Sequence, residues 1–135
     1  MNTKEKIGRY IFLSTLGLEA VAGFGIGLLA LLNFPLALKT GFGIPHTENL
    51  DVLGIIIGLA LIFIGSMCLL SIKWTLQGDG KGVILGIGTG IYIFSFGFLA
   101  FALLGDVQAL LIDSIRGALT IIFGISLYKQ LLKAE

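Results

Sequence analysis

The sequence predicts an all-α fold: an integral membrane bundle of four antiparallel helices with both ends on the cytoplasmic side. Three observations predict it. The chain is too poor in charge to face water, it holds four apolar runs long enough to cross a bilayer, and its Lys and Arg residues gather on one side. Of 135 residues, 56% are hydrophobic and 13% charged, whereas soluble domains carry about 25% charged residues. Faces this apolar need lipid as their solvent. The length is that of a single domain, here residues 1–135. The net charge is +1 and no stripe of Lys/Arg is present to neutralise phosphates, so nucleic acid is not an expected partner. The expected partners are the bilayer and a membrane protein or a second copy of this chain.

A helix needs about 20 apolar residues to cross the hydrocarbon core. The first run extends from near Ile7 to Leu32, the second from Leu50 to Ile72, the third from Gly82 to Leu104 and the fourth from Val107 to Leu132. Apolar residues continue through each without period-2 alternation, which argues against strands. Ile11 to Leu18 followed by Ala20-Val21-Ala22 imitates a secretory leader. Glu19 abuts the apparent cleavage site and the apolar run continues to Leu32, so a transmembrane helix is expected instead.

The connections suit antiparallel neighbours. The longest, Asn33 to Asn49, holds both prolines, Pro35 and Pro45, where their missing N–H groups cost least. Its apolar residues, Phe34, Leu36, Leu38, Phe42 and Ile44, place it in the interface or folded back onto the bundle. Gln77-Gly78-Asp79-Gly80 is a turn sequence, and Gly105-Asp106 a tight turn. With the N-terminus inside, the cytoplasmic side receives Lys4, Lys6, Arg9, Lys73, Lys81, Lys129 and Lys133. The outer side receives only Lys39, beside Glu48, Asp51 and Asp106. This positive-inside bias predicts a multi-pass protein of the inner (plasma) membrane with both termini cytoplasmic. Tyr10, Trp74 and Tyr128 then fall at the cytoplasmic interface as an aromatic belt.

Lipid tails are as apolar as leucine, so close backbone approach at small residues is what joins membrane helices. Gly23 with Gly27, Gly54 with Gly58, and Gly82 with Gly86 and Gly90 are spaced for it. Leu53-Gly54-Ile55 with Gly58 and Gly65 has the spacing of Leu85-Gly86-Ile87 with Gly90 and Gly97, an echo that shared packing needs explain. Gly86-x-Gly88-x-Gly90 lacks the strand–turn–helix setting of a dinucleotide site. Cys68 is alone, with no partner for a disulfide or a metal.

Ionisable groups at bilayer depth cost about 2.5–3.5 kcal/mol each, so they need partners or a purpose. Glu19 in the first helix and Arg116 in the fourth lie at similar depths, so the two helices could join through an ion pair, with an unpaired Glu19 the alternative. Asp113, one turn from Arg116 on the same face, is expected to share its guanidinium. Tyr92, deep in the third helix, needs a partner for its hydroxyl and joins this candidate polar network. His46, Glu48 and Asp51 form a second cluster in the outer loop, lining a pocket mouth, binding a metal weakly or simply solvated. No nucleophile–base pair, metal-ligand cluster or phosphate cradle is visible, so no catalytic residue or metal is assigned. The network reads either as a clamp for insertion and packing or as a pocket for a ligand head group or a proton.

Several of these residues carry a resemblance. Leu32-Asn33-Phe34-Pro35, then Gly41-Phe42-Gly43-Ile44, Leu53-Gly54 with Gly58, Gly105-Asp106 and Arg116-Gly117 together resemble the DoxX-like group of small bacterial four-helix membrane proteins. The resemblance covers most of the chain in pattern and architecture. It implies association with redox systems, including a quinone-linked one, and transfers no catalytic residue. The first expectation is therefore a binding or accessory subunit for a lipophilic ligand, a quinone or a lipid, or for a membrane partner. A second is a small proton-coupled transporter. Ile11-Phe12-Leu13 through Glu19-Ala20-Val21 is similar to the first helix of the small multidrug exporters, where a membrane glutamate binds protons and drug. The 17-residue first connection, Arg116 and the lack of tryptophan within the helices depart from that pattern. A third is a membrane enzyme acting on lipid through Glu19, Arg116 and Asp113.

Overall fold

The computed structural model describes residues 2–37 and 51–134, and of Asp51, Val52, Leu53 and Leu104 the backbone alone. These residues are helical throughout apart from short turns, with no strand among them. The elements are α1 (Thr3–Leu32), α2 (Phe34–Ala37), α3 (Asp51–Leu76), α4 (Gly80–Leu104) and α5 (Val107–Ala134). Four of them are long and apolar enough to cross a membrane. The chain is thus a multi-pass membrane protein.

Local chemistry sets where each helix starts and stops. The Asn2 side chain accepts from the Glu5 N–H at 2.9 Å while the Asn2 N–H donates to Glu5 Oε2 at 2.7 Å. This reciprocal cap starts α1 at Thr3, a turn earlier than apolarity indicates, because capping rather than hydrophobicity decides the polar first turn. At the other end the Asn33 N–H donates to the Leu29 carbonyl at 2.7 Å. The Asn33 side chain then accepts from Leu36 N–H and opens the single turn of α2. Phe34 and Ala37 of that turn are buried against Ala30 of α1, so the start of the long connection does fold back onto the helices. Gly78 turns the chain between α3 and α4 with φ +78°, a left-handed value that costs glycine nothing. Asp79 then caps α4 by accepting from Lys81 N–H at 2.9 Å. Asp106, buried, caps α5 by accepting from Ala109 N–H at 2.9 Å.

The four long helices pack in the ring order α1, α3, α4, α5, with the α1–α5 seam the thinnest. Glycine lets the backbones touch. A Cβ on Gly27 would lie 2.9 Å from the Gly58 carbonyl oxygen, and one on Gly23 would lie 2.6 Å from that of Leu61 and 3.1 Å from the Gly65 nitrogen. Gly90 and Gly117 face each other across α4 and α5, and Gly97 faces Ala109. At one end Gly82 abuts Thr75 and Ser71, and the Ser71 hydroxyl donates to the Gly82 carbonyl at 2.6 Å. Ser71→Ala should lower stability by about 0.6 kcal/mol, the mean for interhelical hydrogen bonds in membranes, as read by denaturation in mixed micelles.

The core is built around Phe12 and Leu16 of α1, with Ile64 and Cys68 of α3, Val83 and Ile93 of α4 and Leu127 of α5. Phe12 fills the notch left by Gly86 and Gly124. Cys68 is fully buried here rather than facing lipid. The outer faces are the reverse of a soluble protein's: Leu18, Val21, Ile56, Ile115 and Ile122 are each more than half exposed. In water such a belt would be an aggregation site; in acyl chains it is the solvated surface.

Candidate functional site

Glu19 lies near the middle of α1, and its carboxylate points inward because Leu16, Ala20 and Gly23 on the same face are buried. Arg116 stands nine residues into α5, about 14 Å along its axis at 1.5 Å per residue. The two helices place them level. Arg116 Nε is 2.8 Å from Glu19 Oε1, and Arg116 Nη2 donates to Asp113 Oδ1 at 2.6 Å. The structure therefore brings Glu19, Arg116 and Asp113 together as one charged group. Glu19 is the most enclosed, with 7% of its side chain exposed, against 14% for Asp113 and 32% for Arg116. Gly117, the neighbour of Arg116, lets α4 close on α5, and Thr120 donates its hydroxyl to the Arg116 carbonyl at 2.9 Å.

The two contacts of Arg116 differ in kind. That to Asp113 is a charge-assisted hydrogen bond. That to Glu19 is a close approach of opposite charges in which the Nε–H is not aimed at the oxygen, so Glu19 Oε1 and Arg116 Nε keep no hydrogen-bond partner. Attraction at this distance is strong in a medium of low dielectric. The directional capacity of both groups remains unused, and buried polar atoms left so are costly.

Beside these groups lies a cavity of about 200 Å³ to which all four long helices contribute. Glu19, Ala22, Gly23 and Ile26 come from α1, Leu61 and Ile64 from α3, Ile93 and Phe96 from α4, and Gln108, Ala109, Ile112, Asp113 and Arg116 from α5. One end is thus charged and the walls are apolar. An engineered cavity of about 150 Å³ lined by apolar side chains takes up benzene, so the space here accommodates a ring-sized or short-chain group. Oxygen acceptors on two carboxylates and N–H donors on Arg116 meet it at the charged end, while Gln108, eight residues before Arg116, lines it about 12 Å further along α5.

Tyr92 does not join this group. Its neighbour Ile93 faces the cavity, so Tyr92 faces away, 42% exposed, with its ring 6.4 Å from that of Phe63 in a separate shallow apolar groove. His46 and Glu48 lie outside the described residues, as does the side chain of Asp51, so the outer-loop cluster is not located. Gln108 and the apolar walls were not singled out in the sequence. The signal for part of them was the spacing Ala109, Ile112, Asp113, Arg116, which is one helical face. Comparison of the chain with protein-family models, with curated proteins and with solved structures finds no match.

Proposed function

We propose that this protein is a small membrane binding module, an accessory subunit rather than a catalyst, that holds the polar head of a lipophilic ligand in the cavity beside Glu19, Asp113 and Arg116. The observation that carries the reading is the coincidence of a charged triad with an apolar cavity of about 200 Å³ at bilayer depth. A clamp alone would close on itself. Here Glu19, Asp113 and Arg116 border open space instead. A lipid or quinone head that both donates and accepts would fill it, while the tail leaves between α1 and α5, where packing is thinnest. The transporter reading is less favoured, since Glu19 is held by Arg116 of its own chain.

The proposal includes the setting. Gly23 opposite Gly65 with Gly27 opposite Gly58, and Gly90 opposite Gly117 with Gly97 opposite Ala109, support antiparallel neighbours. The lysines gathered at one end support an N-in, C-in orientation in the inner membrane. Membership of the DoxX-like group remains part of the same proposal and rests on the residue pattern alone.

The test is to extract purified protein in mild detergent and identify co-purifying lipophilic molecules by mass spectrometry. A near-stoichiometric species is expected, absent from a mock purification. Ala22→Phe, which fills the cavity from α1, should lower its retention about tenfold, the equivalent of 1.4 kcal/mol. Purified protein that carries nothing, or an Ala22→Phe variant that carries as much as wild type, would refute the reading.

A further inference from the structure

A second cavity, separate from the Glu19 pocket, opens at the end of the molecule where α1 begins and α3 and α5 finish. Its volume is about 320 Å³. Glu5 and Arg9 reach it from α1, and Arg9 lies ten residues before Glu19, about 15 Å along the helix. Lys133, in the last turn of α5, meets it from the other side. Thr75 of α3 and Gln130 of α5 also line it, and the Thr75 carbonyl rather than its hydroxyl, which is buried against Gly82, meets Arg9. Leu127 and Leu131 form an apolar wall along α5.

We infer that this cavity binds the phosphate of an anionic phospholipid, with Arg9 and Lys133 holding the charge and an acyl chain lying along Leu127 and Leu131. Basic pockets between helices at a membrane surface take up such head groups. Among the described residues that line the cavity the one acidic residue, Glu5, is turned to its own helix start, where its carboxylate accepts from Asn2 N–H at 2.7 Å. Arg9 Nη2 donates to the Thr75 carbonyl at 3.3 Å, which neutralises the carbonyl end of α3 and leaves the rest of the guanidinium fork for the ligand. Lys4, Lys6, Lys81 and Lys129 lie at the same end of the molecule and, with Arg9 and Lys133, outnumber Glu5 and Asp79 among the described residues there, so the local field favours an anion.

The experiment uses the full chain in neutral detergent with equimolar phosphatidylglycerol and phosphatidylcholine of matched acyl chains, and reads bound lipid by native mass spectrometry. Wild type is expected to favour phosphatidylglycerol. Arg9→Gln and Lys133→Gln should each lower that preference about fivefold, the effect of one basic residue near a membrane surface. Lys81→Gln removes the same charge at the same end but outside the cavity and should leave the preference unchanged. Arg9→Lys keeps the charge and guards against misfolding, and Lys133 is exposed in the last turn, where its loss does not disturb packing. A preference absent in wild type, or lowered equally by Lys81→Gln, overturns the inference, because general surface charge would then suffice. Competition by millimolar inorganic phosphate would assign the site to free phosphate and overturn the lipid as its source.

Discussion

Gly117→Leu is expected to destabilise the fold strongly, whereas Gly88→Leu on the facing helix leaves it intact. A Cβ at residue 117 would lie 2.7 Å from both the Gly90 carbonyl oxygen and the Phe94 backbone nitrogen, and 2.8 Å from the Phe94 Cβ. Two of these are main-chain atoms that cannot rotate aside, so α4 and α5 must separate. Overpacking of this kind costs about 1–3 kcal/mol for small additions, and leucine adds four heavy atoms where one does not fit. The loss also moves Arg116, the next residue, away from Glu19. At Gly88 a Cβ meets nothing within 4 Å, and a better helix former there gains up to about 1 kcal/mol. Thermal unfolding in detergent, followed by circular dichroism, should show Gly117→Leu lower by about 10 °C or more with Gly88→Leu near wild type. Equal midpoints for the two variants would mean that backbone contact at Gly117 does not hold α4 to α5.

These two glycines also mark what the sequence could reveal. Both sit in one hydrophobic helical alphabet, and spacing of four or seven residues selects candidates for contact. Gly23, Gly27, Gly58, Gly90 and Gly117 were legible this way, since small residues at helical spacing have a physical reason to face another helix. Gly88 shares the motif yet faces outward, which only the partner helix decides. The spans themselves were legible because bilayer thickness fixes their length. Glu19 and Arg116 were legible because charge at that depth demands a partner, and counting 1.5 Å per residue from each helix end puts them level. The cavity was not. Its walls, Ile64, Ile93 and Phe96, are ordinary apolar residues whose convergence depends on helix rotation. Tyr92 illustrates the same gap: its place in the middle of the third long helix is legible, but one step along a helix turns a side chain by about 100°, enough to carry it from the core to the outer surface. Likewise the extent of α1 beyond Ile7 depends on the Asn2–Glu5 cap, a polar feature that hydropathy does not see.

The second large effect is expected at Arg116. Arg116→Leu leaves Glu19 and Asp113 facing each other within an apolar interior with no cation, and removing one partner of a buried ion pair costs about 3–5 kcal/mol. The lower figure applies, because 32% of the Arg116 side chain is exposed and part of its charge is screened. The triple variant Glu19→Leu, Asp113→Leu, Arg116→Leu should recover most of that loss, since packed apolar groups replace buried ion pairs at little net cost. Equilibrium denaturation in mixed micelles measures both. The pair of results then separates the two roles the triad can have. If the triple variant folds and no longer retains a lipophilic molecule, the charges serve the ligand, for the fold has been shown to manage without them. If it folds and retains the molecule unchanged, the apolar walls alone do the binding and the triad is an assembly clamp between α1 and α5. A clamp would reveal itself further by slower or less complete docking of α1 on α5 in the triple variant, because a polar contact chooses the helix pairing before close packing is complete. A ligand site carries no such requirement, and its loss should leave that docking untouched.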